Sequence, residues 1–103
     1  NKDMIISGGL NVYPKEVETY IDEIDGVNES AVIGLKDDDF GEKVVAIVVL
    51  DEKSDLKEAE IINLAKESIA GFKVPKEVIF INELPRNAMG KVQKNILRDL
   101  YKS

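Results

Sequence analysis

Apolar positions change their spacing along this chain in a way that divides it into short strands and amphipathic helices. Residues 4–7 form a brief apolar run stopped by Gly8 and Gly9, the pattern of a strand entering a tight turn. Pro14 follows where the first turn of a helix would begin, with Glu16 and Glu18 near the positive end of its dipole. Val17, Tyr20, Ile21 and Ile24 then recur at the i, i+3, i+4, i+7 spacing of one helical face, and Gly26 ends the segment. Residues 31–35 and 44–50 are β-branched runs. The second is so nearly continuous that both its faces must be covered, as in a central strand. Between them, residues 36–43 are acidic and contain Gly41, which predicts a solvated hairpin loop.

Asp55 followed by Glu58 predicts a capping-box start to a second helix. Ile61, Ile62, Ala65 and Ile69 give that helix one apolar face, and Gly71 is its expected stop. Residues 76–81, with Val78, Ile79, Phe80 and Ile81 in succession, read as another strand. A third helix is expected over residues 93–101, with Ile96, Leu97 and Leu100 facing inward. The order β-α-β-β-α-β-α predicts an α+β domain, a small mostly antiparallel sheet with about three packed helices. No repeat, low-complexity segment or internal linker interrupts it, so residues 1–103 read as a single domain.

Composition narrows the function classes. Hydrophobic residues at 44% and charged residues at 33% specify a folded chain rather than a disordered one. The absence of cysteine excludes disulfides and thiolate zinc sites and suits a reducing cytoplasm, the expected compartment. Without histidine, neither a Ser-His-Asp nor a Cys-His catalytic arrangement can be built from this chain. No apolar run approaches the ~20 residues of a membrane-spanning helix, and no signal peptide is visible. A net charge of −6 argues against a nucleic-acid partner, which would call for a basic face.

The candidate chemistry lies near the two ends. Residues 84–94 read Leu-Pro-Arg-Asn-Ala-Met-Gly-Lys-Val-Gln-Lys, in which Pro85 and Gly90 bracket a loop that delivers Lys91 ahead of an apolar-periodic segment. Such a cation can reach a phosphate or carboxylate on another surface; the plainer reading is a solvated lysine at a helix start. Residues 2–18 read Lys-Asp-Met-Ile-Ile-Ser-Gly-Gly-Leu-Asn-Val-Tyr-Pro-Lys-Glu-Val-Glu. Residues 71–76, Gly-Phe-Lys-Val-Pro-Lys, place an aromatic ring among lysines, able to stack an adenine and meet phosphates, although Phe72 suits a core position equally well.

The first two runs, in this order, resemble the C-terminal motifs of the adenylate-forming enzymes: acyl-CoA synthetases, firefly-type luciferases and nonribosomal adenylation domains. The form of the earlier run is closest to that of the acyl-CoA synthetases, and the resemblance covers essentially the whole chain. It implies a mobile C-terminal domain of a larger enzyme, and a chain that opens on Asn1 inside a motif fits an excised piece. Its partner would be its own N-terminal domain, the larger part of the protein. The implied reaction converts a carboxylic acid and ATP to an acyl-adenylate, then to a thioester of coenzyme A, with Mg2+ accompanying ATP on ligands in the N-terminal domain and no metal ligands here.

The resemblance also implies residue roles. Lys91 would drive adenylation from one face, while Ser7, Gly8 and Gly9 would line a pantetheine tunnel on the opposite face, an ordinary Gly-Gly turn being the plainer alternative. Phe72, Lys73 and Lys76 would contribute to nucleotide binding and so complete the coenzyme A set; Val74 stands where some relatives have arginine. Lys2 would be the hinge, and Lys94 reads as a surface or phosphate-steering cation rather than a catalytic one. Fatty, aryl and short-chain acids all remain open as substrates, as does a carrier-bound pantetheine as acceptor. The rival expectation is a non-catalytic α+β interaction or regulatory domain, which explains the composition and periodicity but not two ordered motifs.

Overall fold

The apolar run at residues 44–50 lies in the central strand, where successive side chains point to opposite faces and both faces are covered. The computed structural model describes residues 3–102. In chain order it comprises β1 (Ile5–Ser7), β2 (Leu10–Val12), α1 (Pro14–Asp22), β3 (Val27–Asp37), β4 (Gly41–Leu50), α2 (Glu58–Ser68), a 3-10 turn (Gly71–Lys73), β5 (Glu77–Phe80) and α3 (Lys94–Tyr101). β3 and β4 form a long antiparallel hairpin with Ile33 opposite Val45. The other edge of β4 is shared: β1 pairs antiparallel at Ser7 and Gly41, and β5 pairs parallel from Val45–Glu77 to Val48–Phe80. β2 flanks β1. The expected α+β class, with a mostly antiparallel sheet and three helices, is what forms.

Alternation along the strands divides the interior in two. Val32, Val44, Ala46 and Val48 face α1 and α2, where Val17, Ile21 and Ile61 complete one core. Ala31, Ile33, Val45, Ile47 and Val49 face the other way, onto Leu84 and Leu97. The sheet is therefore sandwiched between α1 with α2 on one side and α3 with the segment leading to it on the other.

Several elements depart from the expected pattern for identifiable reasons. Gly8 and Gly9 do turn the chain, but into a second strand: Ser7 pairs with Leu10 and Ile5 with Val12. Both glycines have positive φ, 59° and 82°, as a two-residue hairpin turn requires. The acidic stretch 36–43 is mostly strand, with only residues 38–40 left as connection. There the Asp37 carboxylate accepts the backbone N–H groups of Asp39 (3.1 Å) and Phe40 (2.9 Å), so its charge caps a tight turn.

α1 ends at Asp22, so Ile24 packs on the core from beyond the helix rather than within it. α2 is capped two residues later than expected, at Lys57 rather than Asp55: the Glu60 carboxylate accepts the Lys57 N–H at 2.7 Å. Glu58 instead accepts the Val78 N–H of β5 at 2.8 Å. The helix stops when Ile69 turns extended (φ −127°, ψ 161°), before Gly71 is reached. In α3, Leu97 is buried but Ile96 and Leu100 are 40% and 66% exposed, contrary to expectation. Leu97 and Tyr101 form one stripe, four residues apart, which meets the sheet core; Ile96 and Leu100 form the adjacent stripe and lie outside it.

Candidate functional site

Lys91 sits on a turn, three residues before α3 begins, and not at a helix start. Arg86 and Val92 pair as a short bridge. The Asn87 N–H donates to the Lys91 carbonyl at 3.0 Å, and the Gly90 N–H to the Asn87 carbonyl at 2.9 Å. The Asn87 side-chain oxygen accepts both the Met89 and the Lys91 N–H groups at 2.9 Å. Gly90, with φ 85°, takes the left-handed conformation this closure demands. At the base the Gln93 N–H donates to the Pro85 carbonyl at 2.8 Å, while Leu84 is buried in the core. A rigid turn thus holds out a flexible cation. Lys91 is exposed and has no carboxylate partner among the described residues.

Lys94 behaves otherwise. Its ammonium meets Asp3 at 2.5 Å and Glu18 at 2.6 Å, and its side chain is only 18% exposed. Glu18 also accepts the Val32 N–H of β3 at 2.8 Å. The expectation of a surface or phosphate-steering cation is therefore corrected: Lys94 is an internal tie between α3, α1 and the start of the chain.

The glycine turn lies beside the tip of the β3–β4 hairpin. Ser7 is buried, and the Gly8 N–H donates to the Phe40 carbonyl at 2.8 Å. A Cβ on Gly8 would meet the Phe40 ring at 3.3 Å, whereas one on Gly9 would meet nothing within 4 Å. Lys76 completes this corner, its ammonium 4.1 Å from the centre of the Phe40 ring. Lys76 also lines a shallow groove with Lys66, Gly71 and Pro75. Phe72 is half-exposed with Lys73 at 5.6 Å from its ring, so it belongs to the surface and not to the core. The Lys73 charge is paired with Glu16 at 2.8 Å, and Val74 is buried. Lys2, the expected hinge, lies outside the described residues.

The two candidate sites are anchored at opposite ends of one hairpin. The Arg86 guanidinium ties the Lys91 turn to Glu29 near the start of β3, whereas the glycine turn meets Phe40 just past its end at Asp37. Asp37 lies eight positions along the strand from Glu29, about 26 Å at ~3.3 Å per residue. Phe40, Arg86 and Asn87 were not singled out in the sequence, and Glu18 was read only as an acidic residue near a helix start. An aromatic residue directly before Gly41, in an acidic turn, and an Arg-Asn pair between Pro85 and Gly90 are the signals that mark them.

The described residues form a three-layer α+β domain with Lys91, unpaired among them, on a closed turn, and a diglycine turn beside basic and aromatic side chains. The chain belongs to the AMP-binding enzyme C-terminal domain family, whose model matches residues 16–91. It is 52% identical over 98 residues to a 3-[(3aS,4S,7aS)-7a-methyl-1,5-dioxo-octahydro-1H-inden-4-yl]propanoyl:CoA ligase of Rhodococcus jostii, covering 95% of this chain and 19% of that protein. It is 49% identical over 100 residues to the long-chain-fatty-acid–CoA ligase FadD13 of Mycobacterium tuberculosis, covering 97% of this chain and 20% of the relative. The crystal structure of ATP-bound MatB from Rhodopseudomonas palustris superposes with a TM-score of 0.94 at 54% identity, again over 97% of this chain and 20% of the other. The chain thus spans about a fifth of the length of these relatives.

Proposed function

We propose that residues 1–103 are the mobile C-terminal domain of a larger ATP-dependent acyl-CoA synthetase of the cytoplasm. In the first half-reaction a carboxylate oxygen of the acid attacks the α-phosphorus of ATP. The bond to the β-phosphate breaks, and pyrophosphate leaves. Both reactants are anionic, so a cation that meets the transferring phosphoryl group lowers the barrier by offsetting charge as it develops. Lys91 has that role. The observation that carries the reading is its exposed ammonium, unpaired among the described residues, on a turn whose backbone is closed at both ends.

In the second half-reaction the coenzyme A sulfur attacks the acyl carbon, the bond to the adenylate oxygen breaks, and AMP leaves. Ser7, Gly8 and Gly9 admit the pantetheine arm, with Gly9 as the open position, and Phe72, Lys73 and Lys76 face the nucleotide end. Lys76 supports this placement, because it lines a groove with Lys66 while its ammonium lies over the Phe40 ring, which meets the glycine turn. Lys2 serves as the hinge about which the domain turns between the two faces. Mg2+ accompanies ATP and is held by the rest of the enzyme. Relatives named for different acyl groups share this domain at 49% to 52% identity, so selection of the acid lies outside it.

The test is acid-dependent ATP–pyrophosphate exchange by the full-length enzyme. Lys91→Ala lowers it on the order of 10²-fold if the charge stabilises the transition state. Unchanged exchange would instead favour a domain without a part in adenylation.

A further inference from the structure

Arg86 holds the Lys91 turn in two places at once. One guanidinium arm donates to the Gly90 carbonyl at 2.7 Å, on the residue directly before Lys91. The other meets the Glu29 carboxylate on β3. Glu29 lies in a strand paired along its length with β4, so it is fixed to the most buried part of the molecule. The turn has internal bonds through Asn87, but those fix its shape, not its position over the sheet. Of the turn's own side chains, only Arg86 reaches from the turn to β3 among the described hydrogen bonds and ion pairs.

We propose that Arg86, seated on Glu29, is a positioning residue that sets where Lys91 points during adenylation. The proposal rests on the reading of Lys91 given above. Arg86 acts through the Gly90 carbonyl and the backbone, not by touching ATP. Its planar fork suits the task, since two N–H donors at a fixed angle can bridge a carboxylate and a carbonyl, which a lysine ammonium on a flexible stem does less rigidly. A misplacement of about 1 Å at a reacting group is enough to cost on the order of a hundredfold in rate. The same geometry separates this role from direct phosphate binding. A phosphate ligand would be freed by removing Glu29, whereas a strut would be lost.

The experiment uses the full-length ligase and compares Arg86→Lys, Glu29→Gln and Lys91→Ala, with Arg86→Lys also built in the Lys91→Ala background. ATP–pyrophosphate exchange is measured beside thioester formation from preformed acyl-adenylate. Arg86→Lys and Glu29→Gln each lower the exchange kcat by roughly ten- to a hundredfold with the KM for ATP little changed, and leave thioester formation intact. Adding Arg86→Lys to Lys91→Ala produces no further loss, because the strut acts only through the lysine. Normal exchange in either Arg86→Lys or Glu29→Gln overturns the proposal, as does a double variant whose losses multiply. Increased exchange in Glu29→Gln also overturns it, in favour of Arg86 as a phosphate ligand. If Lys91→Ala itself exchanges normally, the reading of Lys91 fails and the strut falls with it. Loss in Lys91→Ala without loss in Arg86→Lys removes the strut alone.

Discussion

Lys94 and Glu18 form a largely enclosed ion pair, 2.6 Å apart, that joins the beginning of α3 to α1. Glu18 also accepts the Val32 N–H, and Lys94 also meets Asp3, so the pair connects a helix, a strand and the start of the chain. The two motif-bearing segments, 2–18 and 84–94, are thus tied at one node rather than merely sharing a domain.

This node bears on stability. Lys94→Met keeps much of the side-chain volume but removes both ionic contacts and leaves Glu18 with one hydrogen bond to backbone. The expected cost is on the order of 1–3 kcal/mol, the range for hydrogen bonds to charged groups. Urea denaturation of residues 1–103 and of the variant checks it. A lowered midpoint at unchanged slope is expected; an unchanged midpoint would show that the node is not stabilising.

Periodicity exposed most of the fold because both sheet faces are buried. The uninterrupted run at residues 44–50 could only be a covered strand, and Val17 and Ile21 had to face a core. What stayed hidden was set by contacts distant in sequence. β2 is three residues long, between a glycine turn and Pro14, too short for any period to register. Ile96 and Leu100 share a helix with Leu97 and Tyr101, and only the position of the sheet decides which stripe is buried. In the candidate site, local turn patterns marked Lys91 and the two glycines, but only the family resemblance gave them roles. Lys94 looked like its neighbour Lys91 because its partners, Asp3 and Glu18, lie more than seventy residues away. Phe40 stayed unnoticed for the same reason, its contacts with Gly8 and Lys76 being tertiary.

The isolated domain should fold and catalyse nothing. Two cores enclose β4 on both faces, which is enough for a cooperative transition in a domain of this size. Circular dichroism and thermal melting of residues 1–103 should show one transition, and the same sample should form no acyl-adenylate from acid and ATP. Detectable adenylate formation would place the phosphate-binding machinery inside this chain, against the proposed division of labour.

Phe40→Leu tests the corner where the glycine turn meets Lys76. The leucine keeps an apolar filler near Gly8 but removes the ring under the Lys76 ammonium, 4.1 Å away. An exposed cation–π contact is worth about 0.5–1 kcal/mol. In the full-length enzyme the KM for coenzyme A should rise roughly three- to tenfold once the aromatic surface is also lost to the nucleotide, while pyrophosphate exchange stays near normal. An unaltered KM for coenzyme A would separate Phe40 from the acceptor site.

The central claim is that the two turns serve different half-reactions, and a crossed comparison of Gly9→Leu with Lys91→Ala in the full-length enzyme tests it most directly. Gly9 is the apt position, because a Cβ there meets nothing within 4 Å, so the side chain enters open space instead of the protein. Its φ of 82° adds strain of about 1 kcal/mol, so thermal melting must first establish that the variant is folded. The account predicts that Gly9→Leu retains ATP–pyrophosphate exchange and loses acyl-CoA release, while Lys91→Ala loses exchange and still converts preformed acyl-adenylate to thioester. Folded variants that lose both half-reactions in equal measure would contradict it.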